Sequence, residues 1–170
     1  MELRHATAGD AVSLSGVHVE TWRATYVGQV PDRHAEERIA VAQERDWVTH
    51  QERRVVAGGG VLAAVDDGDV VGFCEYGPTE DDDDDPSRVG HIMRLYLRPQ
   101  SQSRGAGRML LEAACERLAA RGFDSVTLWT LDDPRNRAIG FYVHLGWSRE
   151  GVRDDDPPAV RYRRRLPSSS

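Results

Sequence analysis

Long apolar runs are missing from this 170-residue chain: no stretch could cross a bilayer or serve as the hydrophobic region of a signal peptide. No membrane partner is expected, and the cytoplasm is the default location. Cysteine is scarce as well. Cys74 lies in a strand-like run and Cys115 in a helix-like one, and neither belongs to a C-x-x-C or His-rich cluster. Two buried, reduced thiols and no metal site are the expectation. Positive charge is also in deficit, with 22 Lys+Arg against 28 Asp+Glu and a formal net charge of -6, so the broad basic surface of a general nucleic-acid binder is not indicated.

What is present fits a soluble globular domain, with 39% hydrophobic and 29% charged residues. A chain of this length buries roughly 70% of the surface that it exposes when unfolded. Residues 1–166 read as a single domain, with 167–170 as a flexible tail. Charge is unevenly placed along it. Glu80–Asp85 is an acidic block and Arg161, Arg163, Arg164 and Arg165 crowd the C-terminal end, each most simply a solvated segment. The acidic block could instead steer cationic amines by its field, but it lacks the spacing of an EF-hand loop.

Periodicity divides the chain into alternating elements. A short strand around Leu3–His5 meets the capping pattern Thr7-x-x-Asp10, and an apolar stripe from Val12 through Leu14, Val17, Val19, Trp22, Tyr26 and Val27 predicts a helix. A second helix is expected from Asp32 to about Gln51, with Ile39, Trp47 and Val48 inward. From Arg54 the β-branched residues Val55 and Val56, the Gly58-Gly59-Gly60 break and the runs Val61–Val65 and Val70–Tyr76 read as a hairpin. Val89–Arg98 is another strand, and a helix follows from about Ser103 to Ala120, with Leu110, Leu111, Ala114, Cys115 and Leu118 on one face. Ser125–Leu131, a short helix Asn136–His144, and strands through Trp147 and Val160–Arg163 complete a mixed α/β order.

The most informative local feature is Gln102-Ser103-Arg104-Gly105-Ala106-Gly107. A strand stopped by Pro99, then glycines at the mouth of a helix, offers free backbone N–H groups and the positive helix end to an anion. Arg104 and Arg108 add charge. Two other phosphate-binding patterns are missing: Leu110 stands where a dinucleotide fingerprint needs a third Gly or Ala, and no Gly-Lys-Ser/Thr occurs.

With Leu95-Tyr96-Leu97-Arg98-Pro99 upstream and Asn136-x-Ala138-x-x-Phe141-Tyr142-x-x-x-Gly146-Trp147 downstream, this turn resembles the GNAT N-acetyltransferases, whose phosphate turn reads Gln/Arg-x-x-Gly-x-Gly/Ala. The first-helix run Glu20–Tyr26 resembles that of many bacterial members. The resemblance implies a GNAT-like fold: a mixed, mostly antiparallel sheet of six to seven strands flanked by about four helices. It also implies transfer of acetyl from acetyl-CoA to a primary amine of a small molecule or peptide, by direct attack and without a metal. In such a site Gln102 to Arg108 cradle the pyrophosphate, while the pantetheine arm runs along Leu95, Tyr96 and Leu97. Asn136 helps to hold the coenzyme, with helix capping as its simpler role, and Tyr142 protonates the departing thiolate. A phenol with pKa near 10 suits that task at neutral pH.

The base at the amine end stays open. Many relatives carry glutamate on the strand before the phosphate turn, whereas this chain has His91; Glu75 on the neighbouring strand and, more weakly, Glu20 are alternatives. Trp22 and Tyr26, one helical turn apart, are candidate walls of the acceptor pocket or members of a core stripe. Two other functions stay open: a non-catalytic CoA-responsive module, and an acetyltransferase acting on a protein or an aminoacyl-tRNA. Dimers are common among such proteins, and a closing strand could pair across a two-fold axis.

Overall fold

A computed structural model describes residues 1–26, 28 and 30–168; Val27 of the first-helix stripe and Ser169 and Ser170 of the tail lie outside the described residues, as do the side chains of Thr25, Tyr26 and Glu44. The elements are β1 (Glu2–His5), α1 (Ala11–Tyr26), α2 (Asp32–Glu44), α3 (Trp47–Val56), β2 (Gly60–Asp66), β3 (Asp69–Pro78), β4 (Val89–Leu97), α4 (Ala106–Ala120), β5 (Ser125–Leu131), α5 (Arg137–His144), β6 (Ser148–Arg153) and β7 (Ala159–Arg165). The seven strands form one sheet in the order β1-β2-β3-β4-β5-β7-β6. Every neighbouring pair is antiparallel except β4 and β5. Among the described residues, no helix is long and apolar enough to cross a membrane.

Period-2 alternation in the central strands sends side chains to two separate cores. Leu62, Cys74, Tyr76, Ile92, Val126 and Leu128 meet Leu110, Leu111, Ala114 and Leu118 of α4, with α5 packed beside them. On the opposite face Val61, Ala63, Val70 and Phe73 pack against Leu14 and Val17 of α1 and Trp47 of α3. The buried α4 stripe is the one that its spacing predicts, and each fully buried leucine in it is worth at most about 2–3 kcal/mol.

Three helix boundaries differ from the sequence expectation. The helix expected over 32–51 is broken: Arg45 is extended and the Asp46 side chain accepts from the Thr49 N–H, which ends α2 and caps a new α3. Val55 and Val56 finish that helix instead of starting a strand. They are largely exposed, so their β-branched character does not report a buried sheet surface, and Val48 is likewise outward. At α4 the chain becomes helical only at Ala106, because Gly105 occupies the left-handed region at φ 85°.

The triple glycine is a close-packing device. A Cβ on Gly59 would stand 2.0 Å from the Tyr76 carbonyl oxygen and 2.8 Å from the Gly77 Cα. Backbone atoms of a central strand cannot move aside, so Gly59→Ala is expected to destabilise the protein by about 3 kcal/mol. Gly140→Ala, in the middle of α5 with nothing within 4 Å of the added carbon, is expected to be stabilising by about 0.5–1 kcal/mol. Urea unfolding of both variants checks the contrast; equal midpoints would contradict the close approach at Gly59.

Candidate active site

The site begins where two strands separate. β4 and β5 pair only through Val89–Ile92 and Ser125–Leu128. β4 continues to Leu97 on β3, and β5 continues to Leu131 on β7. The Arg98 N–H donates to the Val71 carbonyl, so by antiparallel alternation the main-chain groups of Leu95 and Leu97 point away from β3, into the opening. One side of this gap is therefore a length of strand with no strand partner, although the Leu97 carbonyl accepts from Thr21 Oγ1 at 2.9 Å. A register shift between Glu75 and Tyr76 leaves Met93 as an extra residue on β4, a bulge at the head of the opening.

The glycine turn closes the far end. Ser103 at φ 65° and Gly105 at φ 85° lead into α4, whose N-cap has no side-chain partner. Among the described residues, the N–H groups of residues 103–108 have no protein acceptor. These donors and the helix dipole converge on one mouth. Gly107 has an additional cause: its Cβ would meet Leu97 Cδ1 at 3.0 Å, so the helix must lie close against β4. Gln102 turns its amide to the Leu97 carbonyl at 3.3 Å, and Arg104 reaches Asp66 at 3.3 Å, which ties both side chains to the protein.

Tyr142 lies under the sheet on the α5 side, nearly buried, with its ring among Phe141, Trp147 and Tyr162. Burial raises the pKa of its phenol well above 10, so it keeps its proton across neutral pH. Asn136 is fully committed to structure. Its NH2 donates to Thr130 Oγ1 at 2.9 Å and to the Leu131 carbonyl at 2.8 Å, while its Oδ1 accepts from the Ala138 N–H and caps α5. Capping is the role that the geometry carries.

The candidate bases separate sharply. Glu75 is completely buried: Oε1 accepts from Arg54 Nε at 3.0 Å and lies 2.6 Å from His50 Nε2, and Oε2 accepts from Arg94 Nη1 at 2.5 Å. Burial alone would raise its pKa, but the His50 hydrogen bond and the charges of Arg94, His50 and Arg54 outweigh that and hold it at about 2. Such a carboxylate has no free oxygen for an incoming ammonium, which corrects its candidacy as base. Glu20 is also engaged, receiving Arg98 Nη1 at 2.6 Å.

His91 is different. Its Nδ1 lies 2.8 Å from Thr127 Oγ1, and that hydroxyl is 3.4 Å from the Gly90 carbonyl oxygen, which can only accept. If Thr127 donates there, it must accept from Nδ1–H, and His91 Nε2 keeps a lone pair. Burial pushes the imidazole below its usual 6.5, against the raising fields of Asp81 and Glu80, so it is neutral at pH 7.

Beside this machinery lies a cavity of about 650 Å³, lined among others by Trp22, Arg38, Met93, Tyr96, Trp129 and Arg153. Trp22 Nε1 donates to the Tyr96 hydroxyl at 3.3 Å, which makes Trp22 a wall of this space and not a member of the core stripe. Tyr96 itself points away from the α4 core and stacks on His18 at 4.8 Å. Trp129 went unnoticed in the sequence, though the alternation of β5 places it on the face of Thr127. The acidic block is exposed at Glu80, Asp82, Asp83 and Asp85, yet part of it is paired. Asp83 and Asp84 pair with Arg161 and Arg163 of β7, and Asp81 accepts from Trp129 Nε1 and Arg161.

The model of the acetyltransferase (GNAT) family matches residues 18–147. The chain is 30% identical over 155 residues to the uncharacterized N-acetyltransferase YuaI of Bacillus subtilis, covering 91% of this chain and 83% of that one. Among solved structures it resembles the PaiA N-acetyltransferase of Thermoplasma acidophilum in complex with coenzyme A, with TM-score 0.80, 22% identity, and 97% and 98% of the two chains covered. It also resembles YncA, a putative acetyltransferase of Salmonella typhimurium solved with acetyl-CoA, with TM-score 0.71, 18% identity, and coverage of 100% and 96%.

The Glu75 cluster makes a stability prediction with a definite sign. Its folded pKa of about 2 lies below the ordinary 4.5, so the contribution is complete above about pH 4.5 and is lost as pH falls towards 2. Glu75→Gln is expected to cost roughly 3–5 kcal/mol at pH 7, because Arg54 and Arg94 lose their shared buried anion. The variant should also show a shallower decline between pH 4.5 and 2. Denaturant unfolding across that range tests both; a variant within 0.5 kcal/mol of the parent at neutral pH would show that the carboxylate does not hold the cluster.

Proposed function

Because the chain belongs to the acetyltransferase (GNAT) family, we propose that it moves an acetyl group from acetyl-CoA to a primary amine of a small molecule or peptide by direct attack. The observation that carries this is the opening between β4 and β5, which leads from the bulge at Met93 to the unsatisfied N–H groups of the glycine turn. An extended pantetheine chain completes the unpaired side of β4, with the Leu95 and Leu97 main chain as partners and the pyrophosphate on residues 103–108. Arg108, exposed on the first turn of α4, adds positive charge at that mouth. Attack on the thioester carbonyl then forms the C–N bond, expels the thiolate and requires two proton movements.

Tyr142 supplies one of them in this reading. Its phenol lies on the α5 side of the sheet, where burial keeps it protonated. His91 supplies the other. Its neutral ring, oriented through Thr127, accepts the ammonium proton directly or through water. Both roles need no covalent enzyme intermediate, and the two cysteines are unsuited to one: burial raises the thiol pKa of each.

Tyr142→Phe is expected to lower kcat about 100-fold with little change in CoA affinity, measured by CoA release and by a binding titration. Turnover at the parental rate across neutral pH would exclude Tyr142 as the acid. For His91→Gln, kcat/KM is expected to fall about 100-fold. Its profile should also lose the acidic limb that the parent shows below pH 6.5, where the imidazole takes up its own proton. An unchanged limb would assign that titration to another group.

A further inference from the structure

Tyr96 joins the coenzyme strand to the acceptor cavity. It stands on β4 between Leu95 and Leu97, whose main chain faces the opening, while its own side chain turns to the α1 face of the sheet. There the ring is held by His18, stacked at 4.8 Å, and by Phe73, edge-on at 5.8 Å. Its hydroxyl is therefore fixed in place. Trp22 and Tyr96 both line the cavity, and Trp22 Nε1 lies 3.3 Å from the Tyr96 oxygen.

An indole N–H can only donate, so the Tyr96 oxygen accepts from Trp22 and must direct its own proton elsewhere. Among the described residues, that proton has no acceptor. The His18 ring lies nearly parallel to the phenol, at 19°, and offers no lone pair along the O–H bond. Burial raises the pKa of the phenol, so the proton is present at neutral pH. The other indole at the cavity is committed, with Trp129 Nε1 donating to Asp81 at 2.9 Å. Tyr96 is left as a pre-oriented donor, held by two rings, given one hydrogen bond and lacking the one it should make.

We propose that the Tyr96 hydroxyl selects the acceptor, donating its proton to an uncharged oxygen, a carbonyl or a hydroxyl, that the acceptor carries besides its amine, while Trp22 fixes the direction of that donation. This rests on the reading of the chain as an amine acetyltransferase. Met93 lies three residues back on the same strand, about 10 Å away, and lines the same cavity, so one acceptor reaches from Tyr96 to the bulge. An acceptor without the oxygen leaves a shielded hydroxyl unsatisfied. That is how a hydrogen-bonding site rejects an apolar isostere.

Amines of matched length, ending in a carboxamide, a hydroxyl or a methyl group, are compared as acceptors at saturating acetyl-CoA. The parent should prefer the carboxamide or the hydroxyl over the methyl member by about tenfold in kcat/KM, and the better of the two identifies the oxygen. Tyr96→Phe keeps the ring between His18 and Phe73 and removes one oxygen atom. It should lower kcat/KM for the oxygen-bearing amine about tenfold through KM, leave the methyl member within about twofold, and leave the KM for acetyl-CoA unchanged. A parent without preference, or a variant that keeps the preference or loses activity on all three amines equally, overturns the proposal.

Trp22→Phe, which keeps an aromatic wall and removes the N–H, should reduce the preference about threefold; an unchanged preference overturns its orienting role. Calorimetric titration of the same compounds into the CoA-bound protein separates this contact from the transferase reading. If none of the amines is acetylated, that reading fails. The contact then stands only if the parent binds the oxygen-bearing member about tenfold more tightly than the methyl member and Tyr96→Phe does not, and equal binding overturns it.

Discussion

The parting of β4 from β5 is the constraint on which the rest of the molecule depends. A parallel pair that stops after Ile92 and Leu128 leaves main-chain donors and acceptors unpaired in the middle of a sheet, which a protein interior does not tolerate unless something completes them. The two strands can separate because each keeps a partner on its other side, β3 for β4 and β7 for β5. Gly107 then brings α4 against Leu97, and the start of that helix stands at the end of the gap. Strand, bulge, turn and helix end are one arrangement. A thioester arm that pairs like a strand and ends in phosphates matches its order.

Much of this was legible because the signals were local. The α4 stripe, the hairpin and the glycine turn each depend on a few neighbouring letters and stand where the letters place them within a few residues, and Asn136 takes the capping role that was its simpler alternative. The misread segment, Val55–Ala57, fails for a physical reason: β-branched residues at an exposed helix end look like strand when only propensity is weighed. Charge was harder to read because pairing is long-range. Nothing near Asp81–Asp84 in the sequence announces Arg161 and Arg163, which lie about 80 positions on and pair with Asp81, Asp83 and Asp84. Glu75 was ambiguous for the same reason, since its three partners come from α3 and β4.

These buried pairings divide the two faces of the sheet by chemistry. The α4 and α5 face is apolar and contains Tyr142, where a phenol is kept protonated by lack of water. The opposite face is crowded with charge: the Glu75 cluster lies at one end, and the salt-linked acidic loop and β7 at the other, with His91 and Trp129 between them. Thiolate and ammonium protons would accordingly be handled in environments of different polarity, on either side of one strand.

The acidic loop also bears on which acceptor can enter. Counted from the letters, Asp81 to Asp85 could draw in cations, yet Asp81, Asp83 and Asp84 are each within ion-pair distance of Arg161, and Asp84 also of Arg163. Paired charges exert little field at a distance, and salt weakens what remains. The arginines around Glu75, in contrast, are partly shielded from solvent, and the fields of Arg94, Arg45 and Arg38 reach inward to His18 against that of Glu75. The conspicuous run of aspartates therefore offers less free field than its letters suggest, because three of its carboxylates face arginines of β7.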